Sequence, residues 1–142
     1  MLAMNTFTMN TSMNPFENTL SSDKLFNKQA EVIQEIADKD DCIIVGRCAG
    51  YILRDEPKCV RIYISADKDF RTKRIMASDH LDEKEAQKKI HSMDKKRDSY
   101  FGYYAGQDWK ACHTYDLAIS TSALGIDKAV DLICQYIDIK FK

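Results

Sequence analysis

Asp41-Cys-Ile-Ile-Val-Gly-Arg-Cys-Ala-Gly-Tyr-Ile-Leu53 is the stretch from which the fold is read. Residues 42–45 form an unbroken apolar run, too short for a helix and rich in β-branched side chains, and the run stops at Gly46-Arg47. This pattern predicts a buried parallel strand. In an open α/β sheet ligands bind outside the carboxyl ends of the strands, so a glycine and an arginine at that point suggest an anion site. Glycine lets a ligand approach the backbone, and arginine supplies a charged fork. The competing reading of Arg47 is a surface arginine ion-paired with Asp41 or Asp55.

Working outward, the flanking segments alternate between helical and strand patterns. Ser21, Ser22 and Asp23 offer N-caps for an amphipathic helix reaching about Lys39, with Leu25, Phe26, Gln29, Ala30, Ile33, Ile36 and Ala37 at helical spacing. Residues 1–20, rich in Asn, Thr, Ser and Met, are expected to be a mobile tail ahead of a domain spanning 21–142. After the Gly-Arg pair, residues 49–53 read as a short helical turn closed by Pro57, and residues 60–65 as a second strand with period-two alternation. Asp67 is placed to cap a basic helix that breaks at Ser78-Asp79-His80. Asp82, with Glu85 three residues on, begins a long helix ended by Gly106. A third strand over 117–120 and a final helix with Ile126, Ala129, Val130, Ile133, Tyr136 and Ile137 complete the chain. Alternation of this kind predicts an α/β fold with a parallel sheet.

Composition sets the outer bounds. The 142 residues are 44% hydrophobic and 30% charged, which suits one soluble globular domain. With 21 basic and 22 acidic residues the net charge is -1, so no global field recruits nucleic acid or a membrane. Five cysteines, an odd number with no Cys-x-x-Cys pair, argue against a disulfide framework or a zinc site and are read as reduced thiols in a cytoplasmic protein. No apolar run approaches the ~18 residues of a membrane span. The three histidines are scattered, and no metal site is predicted.

Other candidate chemistry is cationic. Lys68, Arg71 and Arg74 share a helix face that would suit phosphates or stand as a solvated basic surface. Asp94-Lys95-Lys96-Arg97, followed by an aromatic run from Tyr100 to Tyr104, reads either as a base-stacking segment or as core. Asp116, just before the third strand, reads as a turn or strand-edge carboxylate. No serine has the Gly-x-Ser-x-Gly setting of a hydrolase nucleophile.

Taken together, residues 25–33, 43–53, 61–66 with Arg71 and Arg74, 94–100 and 115–122 resemble, in order and spacing, the cytidylate kinase-like family, a diverged branch of the P-loop nucleoside monophosphate kinases. The resemblance runs from about Asp23 to Ile137. It implies a three-layer parallel-sheet P-loop-kinase-like fold with a helical lid region. The implied reaction is ATP-dependent phosphorylation of CMP or a related nucleoside monophosphate, with Mg2+. By this resemblance Gly46 and Arg47 correspond to the pair that holds the acceptor phosphate, and Asp116 is a substrate-binding position. Arg71 and Arg74 match arginines that open the lid, and Asp94 with Arg97 matches the lid pair.

Two departures shape the expectation. Val45 stands where closer cytidylate kinases carry an aspartate, and the chain has no Gly-x-x-x-x-Gly-Lys-Ser/Thr. That loop cradles the donor's phosphates, and its strand would lie between the strands at 42–45 and 60–65. The expectation is therefore an incomplete, N-terminally truncated member lacking the P-loop strand and helix, with little or no kinase activity alone. The alternative is a non-catalytic nucleotide-binding or interaction module that keeps the acceptor-phosphate site. Exposed strand edges would favour self-association.

Overall fold

The structure, a computed structural model, describes residues 15–142, with side chains from Ser21 onward. The chain divides into two compact units, Met1–Val45 and Gly46–Lys142.

The described part of the first unit is helix α1 (Pro15–Lys39) and the segment after it. Within the described residues the helix runs from Pro15, ahead of the N-caps read at 21–23, and residues 1–14 of the tail expected over 1–20 lie outside the described residues. Phe26, Gln29, Ala30, Ile33 and Ala37 form its less exposed stripe, whereas Leu25 and Ile36 are exposed.

The segment that opened the sequence reading is not a strand. Residues 41–45 carry no regular structure, and Ile43 and Val45 are 96% and 88% exposed. A β-branched run becomes a strand only when a neighbour takes up its backbone N–H and C=O groups. Among the described residues the two strands that form pair with each other, and neither pairs with 42–45.

The second unit holds the sheet. Its elements are α2 (Ala49–Ile52), β1 (Ile62–Ser65), α3 (Lys68–Asp79), α4 (Glu83–Ala105), a 3-10 turn (Cys112–Thr114), β2 (Leu117–Ser120), α5 (Thr121–Leu124) and α6 (Ile126–Lys140). Strands β1 and β2 are parallel, with Ile62 opposite Leu117 and Ser65 opposite Ser120. The fold is therefore mixed α/β with a small two-stranded parallel sheet among the described residues, not the three strands expected. Helices α3 and α4, which pack on one another, form the crossover between the strands.

Local signals explain the boundaries. Asp82 and Glu85 form the expected capping box, each side chain accepting from the other's backbone N–H. Gly106 closes α4 in the left-handed region, with its N–H on the Gly102 carbonyl. Asp67 occupies the N-cap position of α3 without a side-chain cap; its own N–H donates to Ser122 Oγ. On α6 only Ala129 is buried, with Ile133 and Tyr136 partly so. Val130 and Ile137 are exposed, so the inward stripe is narrower than the sequence suggested.

The core is built from small side chains. Ala86 is fully buried, Ala129, Ile119 and Thr72 nearly so, and no large side chain among the described residues is completely removed from solvent.

Candidate functional site

Gly46, Arg47 and Cys48 all have positive φ, at 78°, 54° and 57°. Three successive left-handed residues make a tight reversal leading into α2, closed by the Ala49 N–H on the Gly46 carbonyl at 3.0 Å. Only glycine adopts this conformation freely, and each other residue costs about 1–2 kcal/mol. The strain falls on Arg47 and Cys48, which marks the turn as constrained by its surroundings. Cys48 is buried, and burial pushes its thiol up to about 11. Arg47 is exposed. It does not pair with Asp55, which is held by Arg54 at 3.6 Å, and it makes no ion pair with a described residue of its own unit. Its guanidinium carbon lies 6.0 Å from the centroid of the Tyr100 ring on α4.

The other predicted cations are placed differently. Arg71 on α3 grips Asp94 on α4 through two hydrogen bonds, Nη1 to Oδ2 at 2.7 Å and Nη2 to Oδ1 at 2.6 Å. This is the bidentate geometry that arginine makes with carboxylates, and it holds the Asp94 carboxyl below its ordinary range. Arg97 approaches the same carboxylate at 3.7 Å and lies 5.9 Å from the Trp109 ring centroid. Arg71, Asp94 and Arg97 are thus brought together. Arg74 is exposed and stands apart from them, without an ion pair among the described residues.

Asp116 serves a different neighbour. It accepts from the Arg61 backbone N–H at 2.7 Å, and from Arg61 Nε and Nη2 at 3.2 Å each. Lys140 Nζ lies 4.0 Å away and donates to the Cys59 carbonyl. These bonds tie the entry to β2 to the entry to β1, and hold the Asp116 carboxyl low. Its lone pairs are largely committed to the sheet.

The sequence reading missed two groups. Arg61 entered the sequence reading only as part of the alternating strand 60–65, although a carboxylate just before the partner strand is the signal for such a clamp. The second group is a ring cluster outside the aromatic run 100–104, made by Tyr63, Trp109 and Tyr115. Tyr63 packs on Tyr115 at 5.1 Å and edge-on to Trp109 at 5.8 Å, and the Tyr115 hydroxyl donates to the Trp109 carbonyl. These rings pack one another, while Tyr100 turns to Arg47. Helix α4 therefore carries both Tyr100 and Asp94, less than two turns apart, and connects the left-handed turn to the Arg71–Asp94 pair. Chemically, the ensemble offers one guanidinium at a turn that meets a ring rather than a carboxylate, and a carboxylate-bound pair on adjoining helices.

Comparison with known proteins places these features in context. The profile of the Cytidylate kinase-like family matches residues 1–123, starting ahead of Asp23, where the resemblance was read, and stopping just before α6. The cytidylate kinase of Sulfolobus acidocaldarius is 31% identical over 110 residues, covering 78% of this chain and 60% of the relative. That of Pyrobaculum neutrophilum is 30% identical over 112 residues, covering 75% of this chain and 60% of the relative. The chain thus spans about three fifths of the length of the curated relatives it matches. An uncharacterized protein from Eubacterium ventriosum, known from its crystal structure, superposes with a TM-score of 0.79 at 37% identity. The superposition covers 82% of this chain and 73% of the other.

Proposed function

Because this chain belongs to the cytidylate kinase-like family, we propose that it carries the acceptor side of a nucleoside monophosphate kinase site, with Arg47 and Gly46 receiving the phosphate of CMP or a related nucleotide. The observation that carries this reading is the state of Arg47: its guanidinium is exposed at a constrained turn and makes no ion pair with a described carboxylate of its own unit, unlike those of Arg61 and Arg71. Phosphoryl transfer asks protein side chains mainly for positioning and charge neutralisation, which an arginine fork supplies. Arg71, Arg74 and Arg97 are the further cations of the site, with Asp94 ordering Arg71 and Arg97. Asp116 would serve the substrate only through the sheet edge that it fixes.

The family reaction uses ATP and Mg2+. The sequence supplies no Gly-x-x-x-x-Gly-Lys-Ser/Thr, the loop that would cradle that donor's phosphates. On this reading residues 21–142 form the C-terminal portion of a three-layer P-loop-kinase-like fold, and this chain alone has little or no kinase activity. The second reading, a non-catalytic nucleotide-binding or interaction module, draws on the same absent loop. Among the described residues β1 and β2 each keep an unpaired outer edge, which supports self-association through strand edges. We place the protein in the cytoplasm on its odd cysteine number; no described helix is long and apolar enough to cross a membrane.

Calorimetric titration with CMP and with Mg-ATP tests the reading. CMP binding that disappears in Arg47→Ala, with no heat from Mg-ATP, is expected. CMP binding indifferent to Arg47→Ala overturns the acceptor assignment. ADP production from ATP plus CMP at ordinary enzyme rates overturns the expectation of low activity.

A further inference from the structure

We propose that Tyr100 is a positioning residue that holds the Arg47 guanidinium in its anion-binding pose, so that helix α4 sets the geometry of the turn's cation; this rests on the reading of Arg47 as acceptor-phosphate ligand. Arginine has a long side chain whose rotamer freedom must be surrendered when it meets a phosphate, and a partner that orders it beforehand strengthens binding without touching the ligand.

Three observations converge on Tyr100. First, the Arg47 guanidinium carbon lies 6.0 Å from its ring centroid, at the range where a ring attracts a cation. The guanidinium also acts on the phenol electrostatically, easing the rise that burial imposes on its pKa. Second, the Tyr100 ring is itself fixed: it is half-buried and meets Tyr104 edge-on at 4.8 Å, and Tyr104 meets Tyr103 at 4.8 Å. Burial pushes the phenol's pKa up, so it remains neutral beside the guanidinium at physiological pH. Third, the Arg47 backbone is pinned in the left-handed region and its neighbour Cys48 is buried. With the backbone fixed, the side-chain torsions are what remain to be ordered, and Tyr100 is the described side chain that reaches them. Because α4 also carries Asp94, which grips Arg71, the same helix orients the cations of both clusters.

The test uses the full chain and two readouts. The first, without ligand, follows the Arg47 side-chain Nε–Hε resonance by NMR, with exposed Arg74 as an internal reference. The expected result is an Arg47 signal that is ordered and ring-shifted in the wild type, retained in Tyr100→Phe, and as mobile as Arg74 in Tyr100→Leu. The second readout is CMP titration. Affinity is expected to fall about tenfold in Tyr100→Leu and to stay within about threefold of wild type in Tyr100→Phe. An Arg47 signal as mobile as that of Arg74 in the wild type overturns the proposal and needs no variant to fold. Loss of CMP binding in Arg47→Ala, with wild-type affinity in Tyr100→Leu, overturns the positioning role alone. Equal CMP heats in wild type and Arg47→Ala overturn the acceptor reading and the proposal with it.

Discussion

Arg71 and Asp94 join α3 to α4 through a two-point pair, with hydrogen bonds of 2.7 and 2.6 Å across side chains that are only 32% and 18% exposed. The helices it joins are the crossover between the two strands, so the pair acts on the packing of the unit. It also shows that two of the cations read as phosphate ligands differ: Arg71 is committed to a carboxylate, while Arg47 meets a ring.

Removing one partner leaves the other partly desolvated and unpaired. Asp94→Asn is expected to lower unfolding free energy by about 1.5–3 kcal/mol, the range for hydrogen bonds to charged groups. The pair also fixes a pH dependence. Asp94 has its folded pKa lowered by Arg71, so its contribution is full above the unfolded carboxylate pKa, near ~3.9, and fades as pH falls through the lower folded value. Thermal melts at descending pH check this: wild type and Asp94→Asn differ at pH 7 and converge in strong acid. A gap that persists unchanged in strong acid would exclude the ion pair as its source.

Gly50 lies against Arg61. A Cβ there would meet the Arg61 Cγ at 3.2 Å, and Arg61 is anchored at its far end by Asp116. In a helix Gly→Ala ordinarily gains stability, about 1 kcal/mol. Here the clash works against that gain, and Gly50→Ala is expected to be neutral or destabilising by about 1 kcal/mol. A double-mutant cycle in urea separates the terms. In an Arg61→Ala background the same Gly50→Ala change should become stabilising, and equal effects in both backgrounds would show that the contact is slack.

The helices were legible because their signals are local. The Asp82–Glu85 box, Gly106 and the break at Ser78-Asp79-His80 each act within a turn of the chain, and each boundary fell where those residues put it. Strands β1 and β2 were legible for the same reason, the first from the alternation in 60–65 and the second from the short apolar segment at 117–120. The run at 42–45 misled because a strand is defined by its ladder partners as well as its residues, and the sheet among the described residues consists of β1 and β2. Site residues followed the same division. That Arg71 stands on α3 and Arg97 on α4 was readable, but Arg47 was expected at a strand end, and which carboxylate or ring each meets depends on tertiary contacts, as for Arg61–Asp116, 55 residues apart.

Residues 42–45 provide their own test. Ile43 and Val45 at 96% and 88% exposure contribute little burial, so Ile43→Ser and Val45→Ser should each change stability by no more than about 0.5 kcal/mol. Ile119, at 4% exposure on β2, is the contrast: Ile119→Ala should cost about 2–5 kcal/mol. Urea unfolding of the three variants checks both. Losses of about 2 kcal/mol or more at Ile43 or Val45 would mean that the run is covered in solution, which concentration-dependent sedimentation would trace to a second copy.

Cysteine reactivity gives an independent reading of the left-handed turn. Cys48 is buried beside Arg47, and its thiol is raised from 9.0 to about 11 by desolvation; Cys42, Cys112 and Cys134 are exposed. Only thiolate reacts with an alkylating reagent, so at pH 8 Cys48 holds about a hundredfold less of the reactive form than a thiol at 9.0. Burial slows it further by limiting access. Iodoacetamide followed by peptide mass spectrometry should therefore label the three exposed cysteines first, with Cys48 slower by tenfold or more as an order-of-magnitude estimate. The lag should vanish in denaturant, where all five thiols are equivalent. In a folded protein, labelling of Cys48 at the rate of Cys112 would mean that the turn opens readily and that its positive-φ residues are not held in place.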